Sequence, residues 1–237
     1  MKTVLHLADS RSNVDHGWLQ ARHTFSFAGY YNPERIHFGV LRVLNDDRIA
    51  GGMGFGMHPH DNMEIITIPL SGAVEHKDSM GNHGTIRAGE IQVMSAGTGI
   101  THSEFNKNAD EPLKLLQIWV IPQRRAVTPR YDQAAFDATR RNEFVQVVSP
   151  IGREEPGLQV HQNARFYLAD LDKGFGDTYQ IKSEGNGLYI FVIEGNVTVD
   201  SQPLGTRDGY GVWETENVYI QADSDARILL MDLPMTV

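Results

Sequence analysis

Apolar residues along this chain fall in short runs, and almost none recur at helical spacing. The runs are Phe38 to Val43, Ile65 to Leu70, Ile91 to Met94 and Leu115 to Ile121, then Leu188 to Ile193, Val197 to Val199, Val218 to Ile220 and Ile228 to Met231. Clusters rich in Gly, Asn and Asp separate them: Asn45-Asp46-Asp47, Ser79-Met80-Gly81-Asn82 and Glu184-Gly185-Asn186-Gly187. Short β-rich runs divided by turn residues predict an all-β sandwich or barrel. The middle differs. Gln123 to Asn142 is charged, and its Gln133 to Arg140 stretch places Ala and Phe at helical spacing, which predicts a linker with one short helix. A weak repeat adds to the picture. Ile65 to Val74 resembles Tyr189 to Val197, and each is followed by a Gly-led strand, at Arg87-Ala88-Gly89-Glu90 and Arg207-Asp208-Gly209-Tyr210. One β unit used twice predicts a barrel over 1–135, a linker over 136–142 and a second barrel over 143–237.

Composition narrows the chemistry. The chain has 237 residues and no cysteine, which removes disulfides, thiolate metal sites and cysteine nucleophiles. With 21 Lys+Arg against 30 Asp+Glu, the formal charge is −9 and no basic stripe is present, so nucleic acid is not an expected partner. No uncharged apolar stretch approaches the ~18 residues of a membrane span. A soluble, cytoplasmic protein without membrane contact is the expectation.

The ten histidines are unevenly spread, and only His161 lies beyond His102. Two constellations stand out: His58-Pro59-His60 with Glu64, and His102-Ser103-Glu104. Side chains at i and i+2 of a strand share a face, so His58 pairs with His60, and His102 with Glu104. Glu64 has the parity of His58 and His60 if no bulge intervenes. Three imidazoles and one carboxylate bind a divalent first-row metal and leave positions open, as a catalytic metal requires. Spacing alone does not choose between Glu64 and Glu104. Gln117 interrupts an apolar run, facing either a cavity or solvent. His23 reads as a structural histidine, and Phe25, Phe27, Phe55 and Trp119 as core packing before pocket wall. Gly54 and Gly56 suit a close backbone approach before the His58 strand. Asn45-Asp46-Asp47 reads as a turn.

Gly52, His58-Pro59-His60, Glu64 and Gly72 resemble the first cupin motif, and Gly89 to Gly97 with His102 and Asn106 the second. A longer loop before His102 narrows the resemblance to the pirin family, as do His16-Gly17-Trp18, His23-Thr24-Phe25-Ser26-Phe27, Leu41 to Asp47, Met94 to Glu104, Gln117-Ile118-Trp119 and Thr128-Pro129-Arg130-Tyr131. The sequence is most similar to short bacterial pirin-like proteins with quercetinase activity. The resemblance implies an all-β bicupin, two antiparallel β-barrels face to face, with one metal in the first barrel and none in the degenerate second. It implies ligands His58, His60, His102 and Glu104, where generic cupins use the carboxylate at Glu64. Glu64 then becomes a nearby acid or an alternative ligand.

The expected activity is a metal-dependent quercetin 2,3-dioxygenase. A planar aromatic flavonol and O2 are its substrates, and carbon monoxide is released. Fe(II) is the expected metal, with Mn, Co, Ni, Cu or Zn also accommodated. Glu104 or Glu64 takes the flavonol hydroxyl proton. The alternative is an iron-dependent, redox-sensing regulator that binds a partner protein without turnover. A monomer is expected, because the two barrels bury each other's faces.

Overall fold

The computed structural model describes residues 1–137 and 140–237. The first half comprises β1 (Lys2–His6), β2 (Val14–Asp15), β3 (Leu19–His23), β4 (Leu41–Ile49), β5 (Gly54–His60), β6 (Glu64–Ser71), β7 (Ala73–Asp78), β8 (His83–Arg87), β9 (Glu90–Ser95), β10 (Ile100–Asn106), β11 (Leu113–Val120) and β12 (Arg130–Ala135). The second comprises β13 (Val145–Pro150), β14 (Leu158–Val160), β15 (Arg165–Leu171), β16 (Gly176–Gln180), β17 (Asn186–Glu194), β18 (Val197–Val199), β19 (Gln202–Leu204), β20 (Gly209–Trp213), β21 (Asn217–Ala222) and β22 (Ala226–Pro234). Among the described residues there is no α-helix, only a 3-10 turn at Ala8–Ser10. None is therefore long and apolar enough to cross a membrane.

These strands build four layers. Two seven-stranded sheets, β12-β9-β6-β11-β4-β3-β2 and β1-β20-β17-β22-β15-β13-β14, pack against each other. A four-stranded sheet covers each from outside, β5-β10-β7-β8 on the first and β16-β21-β18-β19 on the second. Alternation explains the continuous apolar runs. On β11, Leu116, Ile118 and Val120 join the central core, while Leu113 and Leu115 face the four-stranded sheet. A strand buried on both faces cannot show polar positions in alternation. Where the resemblance implies closed barrels, no ladder joins the two sheets of either half among the described residues.

Three expectations change. The helix over 133–140 is not formed: Gln133 to Ala135 lie in β12, paired from Arg130↔Ser95 to Ala135↔Glu90. Partners along the edge of β9 satisfy this backbone, so tertiary pairing overrides the local spacing. Residues 138 and 139 of that stretch lie outside the described residues. Asn45-Asp46-Asp47 is no turn but the middle of β4, flanked by β3 and β11. Its short polar side chains serve two interiors rather than a bend. And β1, inside the first predicted segment, hydrogen-bonds to β20 in the second half's sheet.

Candidate metal centre

The face of the first seven-stranded sheet that meets its four-stranded cover carries a row of polar side chains. Pairing places His23, Asn45, Gln117, Thr67, Gln92 and Gln133 side by side across six strands. Directly opposed residues share a face, so the whole row points toward the outer sheet. Several of these groups are buried without a partner: His23 Nδ1, Asn45 Oδ1 and Gln92 Oε1, with Asp47 Oδ1 and Trp119 Nε1 close to the row. Buried polar atoms are nearly always hydrogen-bonded, so a cluster of orphans marks a place built for a ligand or water.

The facing sheet supplies the histidines. His102 on β10 stands opposite His58 on β5 and Asp78 on β7, and Glu104 stands opposite His76. The rings of His58, His60 and His102 lie with centroids 4.4–4.9 Å apart. Two sets of ligand atoms each fall within 4.8 Å of one another: His58, His60, His102, and His76, His102, Glu104. His102 belongs to both sets; His58 and His60 meet it in one, and Glu104 meets it in the other together with His76. Gly54 allows this approach, since a Cβ there would lie 2.2 Å from the Glu104 carbonyl oxygen.

Each side chain is held differently. His58 Nδ1 sits 2.7 Å from the Gly56 carbonyl, which fixes the tautomer that leaves Nε2 free. His60 packs edge-on against Trp119, which in turn meets Phe27. His102 is fully buried, and neither ring nitrogen has a partner. Burial, reinforced by the neighbouring imidazoles, pushes His102 down to about 2; burial with His58 pushes His60 down to about 4. Both are neutral at pH 7 and present lone pairs. Glu104 accepts from Gln117 Nε2 at 2.8 Å, and Thr67 Oγ1 lies 3.2 Å from its other oxygen. Burial still carries Glu104 up to about 7. The orphaned nitrogens of His102 inside a set of neutral imidazoles and a carboxylate fit a divalent transition metal.

Glu64 is elsewhere. Thr67 reaches Glu104, while Glu64 and Ile66 occupy the other face of β6. There Glu64 Oε2 accepts from Ser95 Oγ at 2.7 Å and from the His161 amide at 3.1 Å. The parity argument fails because residues 61–63 break the strand between His60 and Glu64. Gln117 and Trp119 face Glu104 and His60, whereas Phe25 belongs to the central core.

Sequence reasoning passed over His76 and Asp78. His76 Nε2 lies 3.2 Å from Asp78, and Gln92 Nε2 is 3.4 Å from its Nδ1. Asp78 also accepts from the amides of Met80 and Asn82. The signal was the alternation Glu75-His76-Lys77-Asp78, but only the register of β7 on β10 places it beside Glu104.

The chain matches the family described as Pirin over residues 5–120 and the quercetinase C-terminal cupin domain over residues 146–233. The chain belongs to the pirin family. Among pirin relatives, a quercetin 2,3-dioxygenase of Escherichia coli strain K12 is 47% identical over 97% of this chain and 98% of that protein. A pirin-like protein of Caulobacter vibrioides is 40% identical over 94% and 96%. The crystal structure of the bacterial pirin YhhW from E. coli in complex with nickel(II) superposes with a TM-score of 0.93, at 45% identity and with both chains fully covered. The cupin-type, two-domain pirin fold thus accounts for all four sheets.

Proposed function

We propose that this pirin is a metal-dependent quercetin 2,3-dioxygenase that cleaves flavonols with O2 and releases carbon monoxide. His58, His60, His102 and Glu104 are its ligands, and Fe(II) is the working metal. The observation that carries this reading is His102, whose two buried ring nitrogens lack any partner at the point where the two ligand sets overlap. His76 is set apart from the ligands because both its nitrogens are engaged, by Asp78 and Gln92. The relatives named quercetin 2,3-dioxygenase supply the substrate class.

A divalent metal bound here supplies Lewis acidity toward the flavonol 3-hydroxyl and 4-carbonyl oxygens and redox chemistry toward O2. The chain's own residues do the rest. Glu104 accepts the 3-hydroxyl proton. Gln117 and Thr67 hold that carboxylate in place. Trp119 and Phe27 form an aromatic wall beside His60, suited to a flat ring system. Glu64 is no candidate base in this scheme, because it faces the other half.

The test is anaerobic Fe(II) loading of metal-free protein, then addition of quercetin and air-saturated buffer. Loss of the flavonol absorbance with carbon monoxide trapped by a haem protein is the expected result. Full metal occupancy without turnover on several flavonols overturns the enzymatic reading and moves the partner-binding regulator ahead.

A further inference from the structure

A second group of unmet polar atoms lies at the seam between the halves, away from the histidines. Asp46 points off β4 on the side opposite Asn45 and Asp47. One of its oxygens, Oδ2, meets two guanidinium groups: Arg11 Nη2 at 3.4 Å and Arg207 Nε at 3.3 Å. Arg11 is only 6% exposed, and its face lies 5.4 Å over the Phe191 ring. Its Nε and Nη1, and Nη1 of Arg207, are closed off from solvent with no acceptor. Asp208, next to Arg207 in the chain, is already engaged by the amides of Ala8 and Gly205.

Two cations therefore share one carboxylate oxygen, and three buried donor nitrogens have no acceptor. An uncompensated buried charge is strongly unfavourable, and a buried donor without acceptor adds to the cost. Arg207 moreover holds its backbone at φ +72°, in the left-handed region that non-glycine residues avoid. Strain of this kind persists where surrounding structure demands the side chain at that spot. We infer that Arg11 and Arg207 bind a small inorganic anion of halide size, which tests as chloride or bromide, between the N-terminal segment, β4 and the 205–208 turn. One negative charge balances the pair, and the burial of the donor nitrogens favours an occupant of atomic size over a larger anion. Arg207, with its side chain 21% exposed, is the side from which the ion enters. The anion ties the two halves together and leaves the metal site untouched, so the inference stands apart from the proposed activity.

The experiment is thermal unfolding of the full-length protein, metal state fixed, in bromide or chloride against gluconate at constant ionic strength. A saturable rise of a few degrees in halide is expected, because a ligand bound only to the folded state raises Tm by mass action. Arg207→Gln, on a partly exposed turn, should abolish that rise, as should Arg11→Met if it folds. Asp46→Asn should keep or enlarge it, since the guanidinium pair then has no anion of its own. Crystals grown in bromide should show one anomalous peak in contact with Arg11 and Arg207. Equal Tm values in halide and gluconate, a halide rise unchanged in Arg207→Gln, or an ordered water at the position with no bromide would each overturn the inference.

Discussion

The two halves of this pirin are built alike and filled differently. Strand for strand, β12-β9-β6-β11-β4 corresponds to β1-β20-β17-β22-β15, and β5-β10-β7-β8 to β16-β21-β18-β19. Where β10 turns His102 and Glu104 inward, β21 turns in Val218, Ile220 and Ala222. Where β6 and β11 offer Thr67 and Gln117, β17 and β22 offer Leu188, Ile190, Ile228 and Leu230. The second interior does hold a buried acid, Asp232, but it is fully met by Tyr179 Oη at 2.9 Å, the Lys182 amide at 2.7 Å and Asn186 Nδ2 at 2.6 Å. In the first interior, the polar atoms of His102, Asn45 and Gln92 wait for partners. One architecture thus yields an apolar packed interior or one lined with polar groups, and the difference lies in whether those buried polar groups are satisfied from within.

The strongest way to break that comparison is to remove ligands from the first interior. His102→Ala and Glu104→Ala should each weaken metal binding by more than about 100-fold, exceeding the loss typical of outer-shell partners. Elemental analysis should fall from one metal per chain to a trace, with flavonol turnover lost alongside. A variant that stays loaded removes that residue from the ligand set. Next comes the satisfied acid. Asp232→Ala strips the acceptor from three donors and should cost about 3 kcal/mol of stability, read by urea unfolding. The same protein should keep one metal per chain. Metal loss there would mean the second interior takes part in the site.

A pH experiment sharpens the contrast without deleting anything large. Glu104 ionises near its ordinary value of 4.5 when unfolded and at about 7 when folded and metal-free. Between those values the folded state holds a proton that the unfolded state has released, so this group's contribution to stability falls as pH rises from about 4.5 to 7. Several buried histidines titrate with the opposite sign, so the informative quantity is metal-free wild type minus Glu104→Gln. That difference should drop by about 3 kcal/mol across the window and then level off. A flat difference removes burial as the dominant influence on Glu104.

Much of this was legible in the chain. The pairings of His58 with His60 and of His102 with Glu104 are read from i, i+2 spacing, and Glu104 as a ligand only from family resemblance; the structure groups His102 with His58 and His60 on one side and with His76 and Glu104 on the other. The main apolar runs became strands because a seven-stranded sheet buried on both faces needs uninterrupted hydrophobic sequence. What stayed hidden depends on register. Nothing local says that His76 will stand opposite Glu104, or that His23, Asn45, Gln117, Thr67 and Gln92 will line up in one row. Asn45-Asp46-Asp47 reads as a turn by composition, and only the two interiors it serves explain it as a strand. Gln133 to Ala135 reads as helix until β9 offers its edge.

The smallest effect belongs to the residue that spacing made a rival. Glu64→Gln should leave metal content unchanged and flavonol turnover within about twofold, well short of the 10²–10⁴-fold typical of a lost general base. The geometry gives the reason. Glu64 shares a strand with Thr67 but not a face, and its Oε2 is spent on Ser95 Oγ and the His161 amide. A glutamine carbonyl oxygen still accepts from both, and its amide nitrogen takes the place of Oε1, which has no partner now. Burial raises the carboxyl at this position, so the charged form is already disfavoured there and its removal costs little. The buried amide N–H groups, however, find no acceptor at that position, so a stability loss of about 1–3 kcal/mol follows while the metal stays bound. Glu64→Ala differs, because it leaves the His161 amide and Ser95 without their acceptor and should loosen the contact between the halves while the metal stays bound. Metal loss in Glu64→Gln would restore the generic cupin ligand set and return Glu104 to the role of base alone.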